Sequence, residues 1–414
     1  MTILDALSSA RRYLVGATMG EIKYHAAYFA PQKEITIESI YVHPIKSCKG
    51  SQVQEAQITH DGLLYDRTWL IVDRTSKKFC TARELSKMVL INPHIDLSSG
   101  KLIIDVPLTE KGKGTKRVQT DLDPTREQLE KMELVEGISI WNHTVDGYVV
   151  SEEVNEVLSE FFGKSVMLVR KGPLDRPSGP DDRRDRPTLN YQDFYPLLVA
   201  TQASLKHVQQ TLVKSVYPSM SPQTENAPVD PNDRAAQIAH VEIPAVRVPD
   251  SVSKEYWTPE QLETLEITRF RPNIILKSTP AGDMPALAPW EEDGFVELEL
   301  FDAEEGHDGG EPPFGDSAKG QGKLGISCMA RAGRCLVPNI DPSTGNRDPH
   351  IPYKPMQKYR QVDEIYNKMG KPCFGVLAAL KEGTARKGVI RVGDIVRVTE
   401  TTDPAQRNAT PKPS

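Results

Sequence analysis

At 414 residues the chain is long enough for two domains, or one elaborated two-lobed unit, around a large core. A net charge of −6 with ordinary apolar and charged fractions argues against a general nucleic-acid binder, whose footprint is basic. The five cysteines (Cys48, Cys80, Cys328, Cys335 and Cys373) are odd in number and form no CxxC pair, which gives no disulfide framework and fits a reducing compartment.

Residues 1–34 read as a weakly amphipathic extension, helical or flexible, with Arg11, Arg12 and Lys23 and few acids. No run in the chain approaches the roughly 18 apolar residues of a membrane span. Residues 35–43, ITIESIYVH, alternate apolar and polar residues and read as a strand ended by Pro44. Successive strands follow to about residue 107, with turn signals at Asp61-Gly62, Asp73–Lys77 and Ser98-Ser99-Gly100, as in a small barrel or sandwich. The period changes over 151–163: Val154, Val157, Leu158, Phe161 and Phe162 share a helical face, Ser151 can cap it, and Gly163 can stop it. VMLVRK is again strand-like. Residues 171–188 are rich in Pro, Gly and charge, and read as a linker or a loop over a site.

The second half opens on a buried strand, FYPLLVAT, whose Thr201 can cap a helix starting near Gln202. Residues 214–260 and 302–323 read as irregular insertions. ITRFRPNIILK reads as a strand broken by Arg271-Pro272, and FVELELF as a further strand. Residues 325–335 carry a small apolar run up to Arg334-Cys335, and CFGVLAALKEG and VIRVGDIVRV close the chain before a polar tail at 401–414.

Four polar groupings sit where strands meet loops. Cys335, half-sheltered by its apolar approach and beside Arg334, combines a soft sulfur with a fixed positive charge, which favours the thiolate; the competing reading is a core cysteine. Lys46-Ser47-Cys48-Lys49-Gly50 has the makings of an anion cradle, against the plain alternative of a solvated basic turn; it lacks Walker spacing. Arg83 offers a planar fork for phosphate or a polar heterocycle, against an ordinary surface pair with Glu84. Arg271, Pro272 and Asn273 can hold a polar ligand or simply make a turn. HExxH, GxGxxG and GxSxG signatures are absent, and Cys335 has no histidine partner evident in the sequence.

Taken together and in order, YVHPIKSCKG, DRTWLIVD, TARELSKMVLI, FRPNIIL, GRCLVPNIDPSTG and FGVLAALKEG…IRVGDIVRV resemble the MOSC family, in particular its molybdenum enzymes of the amidoxime-reducing type. The resemblance covers most of residues 35–399. It implies an α+β fold, predominantly β, with an N-terminal β-rich MOSC-associated lobe (35–170), a linker (171–188) and a MOSC β-barrel lobe (189–400). It implies a molybdenum cofactor (Mo-molybdopterin) between the lobes, with Cys335 as the metal ligand. Lys46, Ser47, Arg83, Arg271, Asn273 and Arg334 match positions that hold the pterin and its phosphate, and Thr201 a segment that closes over it. Asp193 matches a candidate proton carrier, a role that requires a tuned pKa.

The implied reaction is reduction of an N-hydroxylated compound by oxygen-atom transfer to molybdenum. A cytochrome b5-type donor and its reductase are the implied partners, without nucleic acid or a membrane span. The implied location is the cytoplasm, with mitochondrial association as the alternative. Gly333 departs from the family, which commonly has Ser there. Two other functions compete: a non-catalytic carrier of the cofactor, and sulfur transfer through a Cys335 persulfide.

Overall fold

The computed structural model describes residues 34–108, 114–179, 187–220, 243–280, 286–303, 324–383 and 387–404. Most of the expected N-terminal extension, the middle of the insertion at 214–260, nearly all of 302–323 and most of the tail lie outside the described residues.

The alternation of ITIESIYV makes β1 (Glu34–Val42), which buries Ile35, Ile37, Ile40 and Val42. Short strands follow as β2 (Ser51–Val53), β3 (Glu55–Thr59) and β4 (Gly62–Leu63). The fully buried run WLIV begins β5 (Trp69–Asp73). Next come β6 (Asn92–Asp96), β7 (Lys101–Pro107), β8 (Thr115–Asp121), β9 (Leu134–Ile140), β10 (His143–Val149) and β11 (Val166–Lys171). The second half contributes β12 (Leu197–Thr201), β13 (Ile274–Thr279), β14 (Phe295–Phe301), β15 (Leu324–Gly333), β16 (Cys373–Leu380), β17 (Lys387–Arg391) and β18 (Ile395–Thr401).

The strand order β13-β12-β16-β15-β14-β18-β1, with β1 also pairing β13, closes a seven-stranded barrel. Closure removes free edges, and the inward residues, Ile37, Val199, Leu276, Leu298, Ile326 and Val376 among them, fill the interior. Each such fully buried aliphatic contributes about 1.5–3 kcal/mol relative to exposure. β12 and β13 run parallel, so the chain must cross over between them. The helix Gln202–Val216 begins that crossover and packs Leu205, Val208 and Leu212 against the outer face of the barrel. Between that helix and β13, the Arg-Pro pair does break the chain: a 3-10 turn over Ile267–Phe270 ends at Arg271, and β13 starts only at Ile274.

The remaining strands form the other lobe. One sheet runs β5-β11-β10-β9 and another β6-β7-β8, with the helix Glu152–Phe162 packed against them. That helix begins and ends where the sequence says: Ser151 Oγ accepts from the Val154 amide, and Gly163 stops it in the left-handed region at φ 64°.

The two lobes interleave in sequence: β1 is a barrel strand lying between β13 and β18, and β2 extends from it. β3 likewise pairs with β17 near the C-terminus. From β1 the described chain leaves the barrel to build the second lobe, and it returns at β12. The loop after β1 and the turn before β5 therefore lie at the join between the lobes.

Candidate functional site

Five segments meet at that join: the turn after β1, the turn before β5, the loop before β12, the turn before β13 and the end of β15. Each delivers a cation. Lys46 is buried and donates from Nζ to the Tyr191 carbonyl at 2.7 Å and to Asp193 Oδ1 at 2.5 Å. Arg67 donates to Asp66 Oδ2 at 2.5 Å, to Asn273 Oδ1 at 3.1 Å and to the Arg271 carbonyl at 3.2 Å. Arg176 holds the carbonyls of Gln192 and Asp193 at 2.5 and 2.9 Å. Arg271 donates from Nη1 to the Cys48 carbonyl at 2.5 Å, and Arg334 from Nη2 to the Phe270 carbonyl at 2.6 Å.

These cations are crowded. Burial, reinforced by Arg67, draws Arg271 down to about 10; burial also lowers Arg334 and Arg176. Within the cluster, the carboxylates of Asp66 and Asp193 oppose that lowering. Asp66 is fully buried, and burial pushes its carboxyl up against the opposing pull of Arg67 and the His43 amide. Three guanidinium nitrogens, Arg271 Nη2, Arg334 Nε and Arg176 Nε, are buried with no hydrogen-bond partner among the described residues. Buried donors are normally satisfied, so this concentration of open ones marks a place built for an acceptor.

The backbone is special here as well. Ser47 (φ 71°), Arg67 (φ 47°) and Arg271 (φ 58°) are all non-glycine residues in the left-handed region. Each such residue costs on the order of 1–3 kcal/mol and persists where surrounding bonds impose it, commonly at functional sites. His43 supplies part of that imposition. Its amide donates to Asp66 Oδ1, its carbonyl accepts from Arg67, and its Nε2 donates to the Pro272 carbonyl at 3.2 Å. Burial, with Arg67 and Arg271 nearby, holds the ring well below the usual imidazole range, so it stays neutral. Gly50 lets that ring sit down on the turn, since a Cβ there would lie 2.3 Å from it.

Cys335 follows β15 directly, half-buried, whereas the other four cysteines are buried. Burial lowers its neighbour Arg334. Gly333 accommodates the Tyr366 ring: a Cβ on Gly333 would come within 2.5 Å of it. The expected loss of a serine hydroxyl is thus matched by a buried phenol occupying the space. Gly333→Ser is expected to destabilise by about 1–3 kcal/mol through overpacking, and Tyr366→Ala in the same chain to relieve it. Urea unfolding of the two single variants and the double variant measures that coupling.

The expected residues separate into three groups. Lys46, Arg271, Arg334 and Asp193 lie in one cluster, with Ser47 in the Lys46 turn. Arg83 approaches from the rim: instead of pairing with Glu84, its guanidinium lies 4.3 Å from the centre of the Trp141 ring, and Trp141 Nε1 donates to Asp193 Oδ1 at 3.0 Å. Asn273 is buried, and its amide serves Leu198, Arg67 and the Tyr41 carbonyl, which makes it a positioning residue.

Two roles change. Thr201 does not reach the cluster: its hydroxyl caps the helix Gln202–Val216 and bonds Ser204 Oγ and the buried Glu292 carboxyl. Asp193 is not tuned to carry a proton. Desolvation by the surrounding protein would raise its carboxyl although its side chain is half exposed, but Lys46, Trp141 and Arg176 outweigh that and hold it below the carboxylate range. Arg67, Arg176 and Trp141 had no site role in the sequence reading; the Asp66-Arg67 pair just before the apolar run WLIV is the available signal for the first.

Lys46 itself shifts. Burial, opposed by Asp193 and aided by Arg176 and Arg67, pulls its ammonium from 10.5 to about 8. Between those values the unfolded chain keeps this proton and the folded chain has released it, so its contribution makes stability rise with pH. Lys46→Met is expected to flatten that rise, read as a smaller gain in Tm between about pH 8 and pH 10 than in wild type.

Residues 34–165 match the family described as MOSC N-terminal beta barrel domain. Over 400 residues the chain is 24% identical to mitochondrial amidoxime-reducing component 1 of Homo sapiens, covering 92% of this chain and 90% of that protein. The Mus musculus protein of the same name is 25% identical over 374 residues, 87% of this chain and 81% of the relative. Molybdenum cofactor sulfurase of Danio rerio is 24% identical over 376 residues, and the match covers 89% of this chain but only 35% of that protein. Residues 34–165 thus carry a MOSC N-terminal beta barrel domain, and most of the chain is similar to the mitochondrial amidoxime-reducing component and, over a part of that longer protein, to molybdenum cofactor sulfurase.

Proposed function

We propose that the chain is a molybdenum-cofactor oxidoreductase that reduces N-hydroxylated compounds of the amidoxime or hydroxylamine type. The observation that carries the reading is the pairing of a half-exposed thiol, Cys335, with a buried cationic cluster whose Arg271, Arg334 and Arg176 have open donors. That donor set suits the group: a soft sulfur for the metal, and guanidinium and ammonium groups for a phosphate-bearing pterin. Cys335 would ligate molybdenum. Lys46, Arg271 and Arg334 would hold the phosphate and pterin, with Arg67 and Asn273 fixing their backbone and Arg83 at the rim. When bound, the cofactor supplies oxygen-atom acceptance and two-electron redox chemistry.

The chain's own residues orient and balance charge. Asp193, held ionised, acts as a counter-ion and not as the proton carrier. Lys46, drawn towards neutrality by burial, is placed to release a proton from Nζ. Electrons come from an external donor of cytochrome b5 type with its reductase, a partner that rests on the resemblance to the amidoxime-reducing proteins. No helix among the described residues is long and apolar enough to cross a membrane; mitochondrial association is proposed from the mitochondrial relatives.

The similarity to sulfurases favours one second reading, transfer of sulfur through a persulfide on the half-exposed Cys335. One experiment separates the two. Wild-type chain from a cofactor-competent host is analysed for molybdenum and pterin, then assayed with benzamidoxime and a reduced donor. Near-stoichiometric metal and turnover support the oxidoreductase. Folded chain with neither component, carrying a persulfide on Cys335, would replace it with sulfur transfer.

A further inference from the structure

We propose that Asp193 is a resident counter-anion, which occupies Lys46 until a phosphate monoester of the ligand takes its place and the carboxylate turns out to solvent. The inference rests on the reading of the cationic cluster as a phosphate site.

Asp193 is set apart from Asp66 by position. Asp66 is entirely buried and bound to Arg67 and the His43 amide, so it is fixed structure. Asp193 has a side chain 52% exposed, above a Lys46 side chain that is 9% exposed. An anion arriving from solvent therefore meets the carboxylate before the ammonium. The bonds from Lys46 and Trp141 both fall on Oδ1. The charge of Asp193 is also felt by Arg176, Arg271 and Arg334, making it a common partner of cations that otherwise repel each other.

The loop carrying Asp193 is pinned, so the exchange is a side-chain rotation. The Tyr191 amide donates to the Arg67 carbonyl at 3.0 Å, and its hydroxyl to the Asp146 carbonyl at 2.9 Å. Arg176 holds the carbonyls of Gln192 and Asp193. Half-exposed, the carboxylate has water to turn into while its backbone stays.

Exchange is favoured by donor count. Asp193 leaves Arg271 Nη2 and Arg334 Nε unpartnered. A phosphate monoester brings close to two negative charges and three strong acceptor oxygens, enough to serve Lys46 and the open guanidinium donors together. A carboxylate on a pinned loop cannot match that, but it keeps the cluster from flying apart in the meantime. A residue that bound the ligand directly would weaken phosphate binding when removed. A competitor for Lys46 strengthens it.

The test titrates inorganic phosphate into the cofactor-free full chain by calorimetry at constant ionic strength. Asp193→Asn keeps size and the acceptor for Trp141 while removing the charge, and is expected to bind phosphate about tenfold more tightly, a gain of about 1.4 kcal/mol. Lys46→Met is expected to lose most binding. In wild type, phosphate is expected to change Trp141 fluorescence, a change missing from Trp141→Phe. Asp193→Ser serves as a second uncharged variant, with circular dichroism to check folding. Phosphate binding that both uncharged variants leave unchanged or weaken overturns the counter-anion role alone. Absence of phosphate binding in wild type and both variants overturns the cluster as a phosphate site, and the proposed function with it.

Discussion

A Cys335→Ser chain is expected to fold normally, lose at least nine-tenths of its molybdenum relative to wild type, and show no donor-dependent reduction of benzamidoxime. The expectation follows from the donor chemistry. Serine keeps the shape and a hydrogen-bonding group but replaces a polarisable sulfur by a hard hydroxyl that is protonated at neutral pH, and soft thiolate is what selects this kind of metal. Stability is insulated from the change, because Cys335 is half-exposed and lies past the end of β15, outside the barrel core. Substitutions at such positions usually stay within about 0.5 kcal/mol. Metal analysis and urea unfolding on the same preparation separate the two effects. Full activity with wild-type metal content in the variant would sink the assignment of Cys335 as ligand.

The largest effect on stability is expected at Arg67, which lies in the motif DRTWLIVD but was given no site role there. Arg67→Met leaves Asp66, at 0% exposure, as a buried carboxylate with its guanidinium partner gone. Breaking a buried pair from one side costs about 3–5 kcal/mol, because the surviving charge is uncompensated. The substitution also strips donors from Asn273 and from the Arg271 carbonyl, both at the turn before β13. Adding Asp66→Asn removes the stranded charge and is expected to recover a substantial part of the loss. Urea midpoints of the single and double variants decide the matter. Equal destabilisation with and without Asp66→Asn would place the cost in packing and not in charge.

Local structure was legible where local chemistry writes it. Ser151 and Gly163 bracket their helix, and the alternation in ITIESIYV gives β1. At the Ser98–Gly100 turn, Asp96 accepts from the Ser98 and Ser99 amides and Gly100 takes φ 66°. The pairing of β1 with β13 and β18 was not legible, because barrel closure joins segments hundreds of residues apart and leaves no local mark. The site divides in the same way. Lys46, Arg271, Arg334 and Cys335 lie in turns with recognisable composition. Arg176 lies in a segment whose Pro and charge read as a linker, and only its bonds to Gln192 and Asp193 reveal it. Thr201 misled for the opposite reason: a hydroxyl at a strand-to-helix junction suits a ligand, but here the helix and Glu292 take it.

The interleaved path of the chain has a bearing on how it is made. β1 is synthesised well ahead of its neighbours β13 and β18, which follow more than two hundred and three hundred residues later. At ribosomal speeds of roughly 5–20 residues per second, that strand waits for tens of seconds with its edges unpaired. Unpaired apolar edges seek other chains, so nascent-chain chaperones that cover residues 34–42 are expected to govern yield. By the same logic, a C-terminal fragment starting at β12 emerges with a gap in its barrel and two sticky rims. Splitting the protein at residues 171–188 is therefore expected to give aggregation, which light scattering of the two fragments would measure.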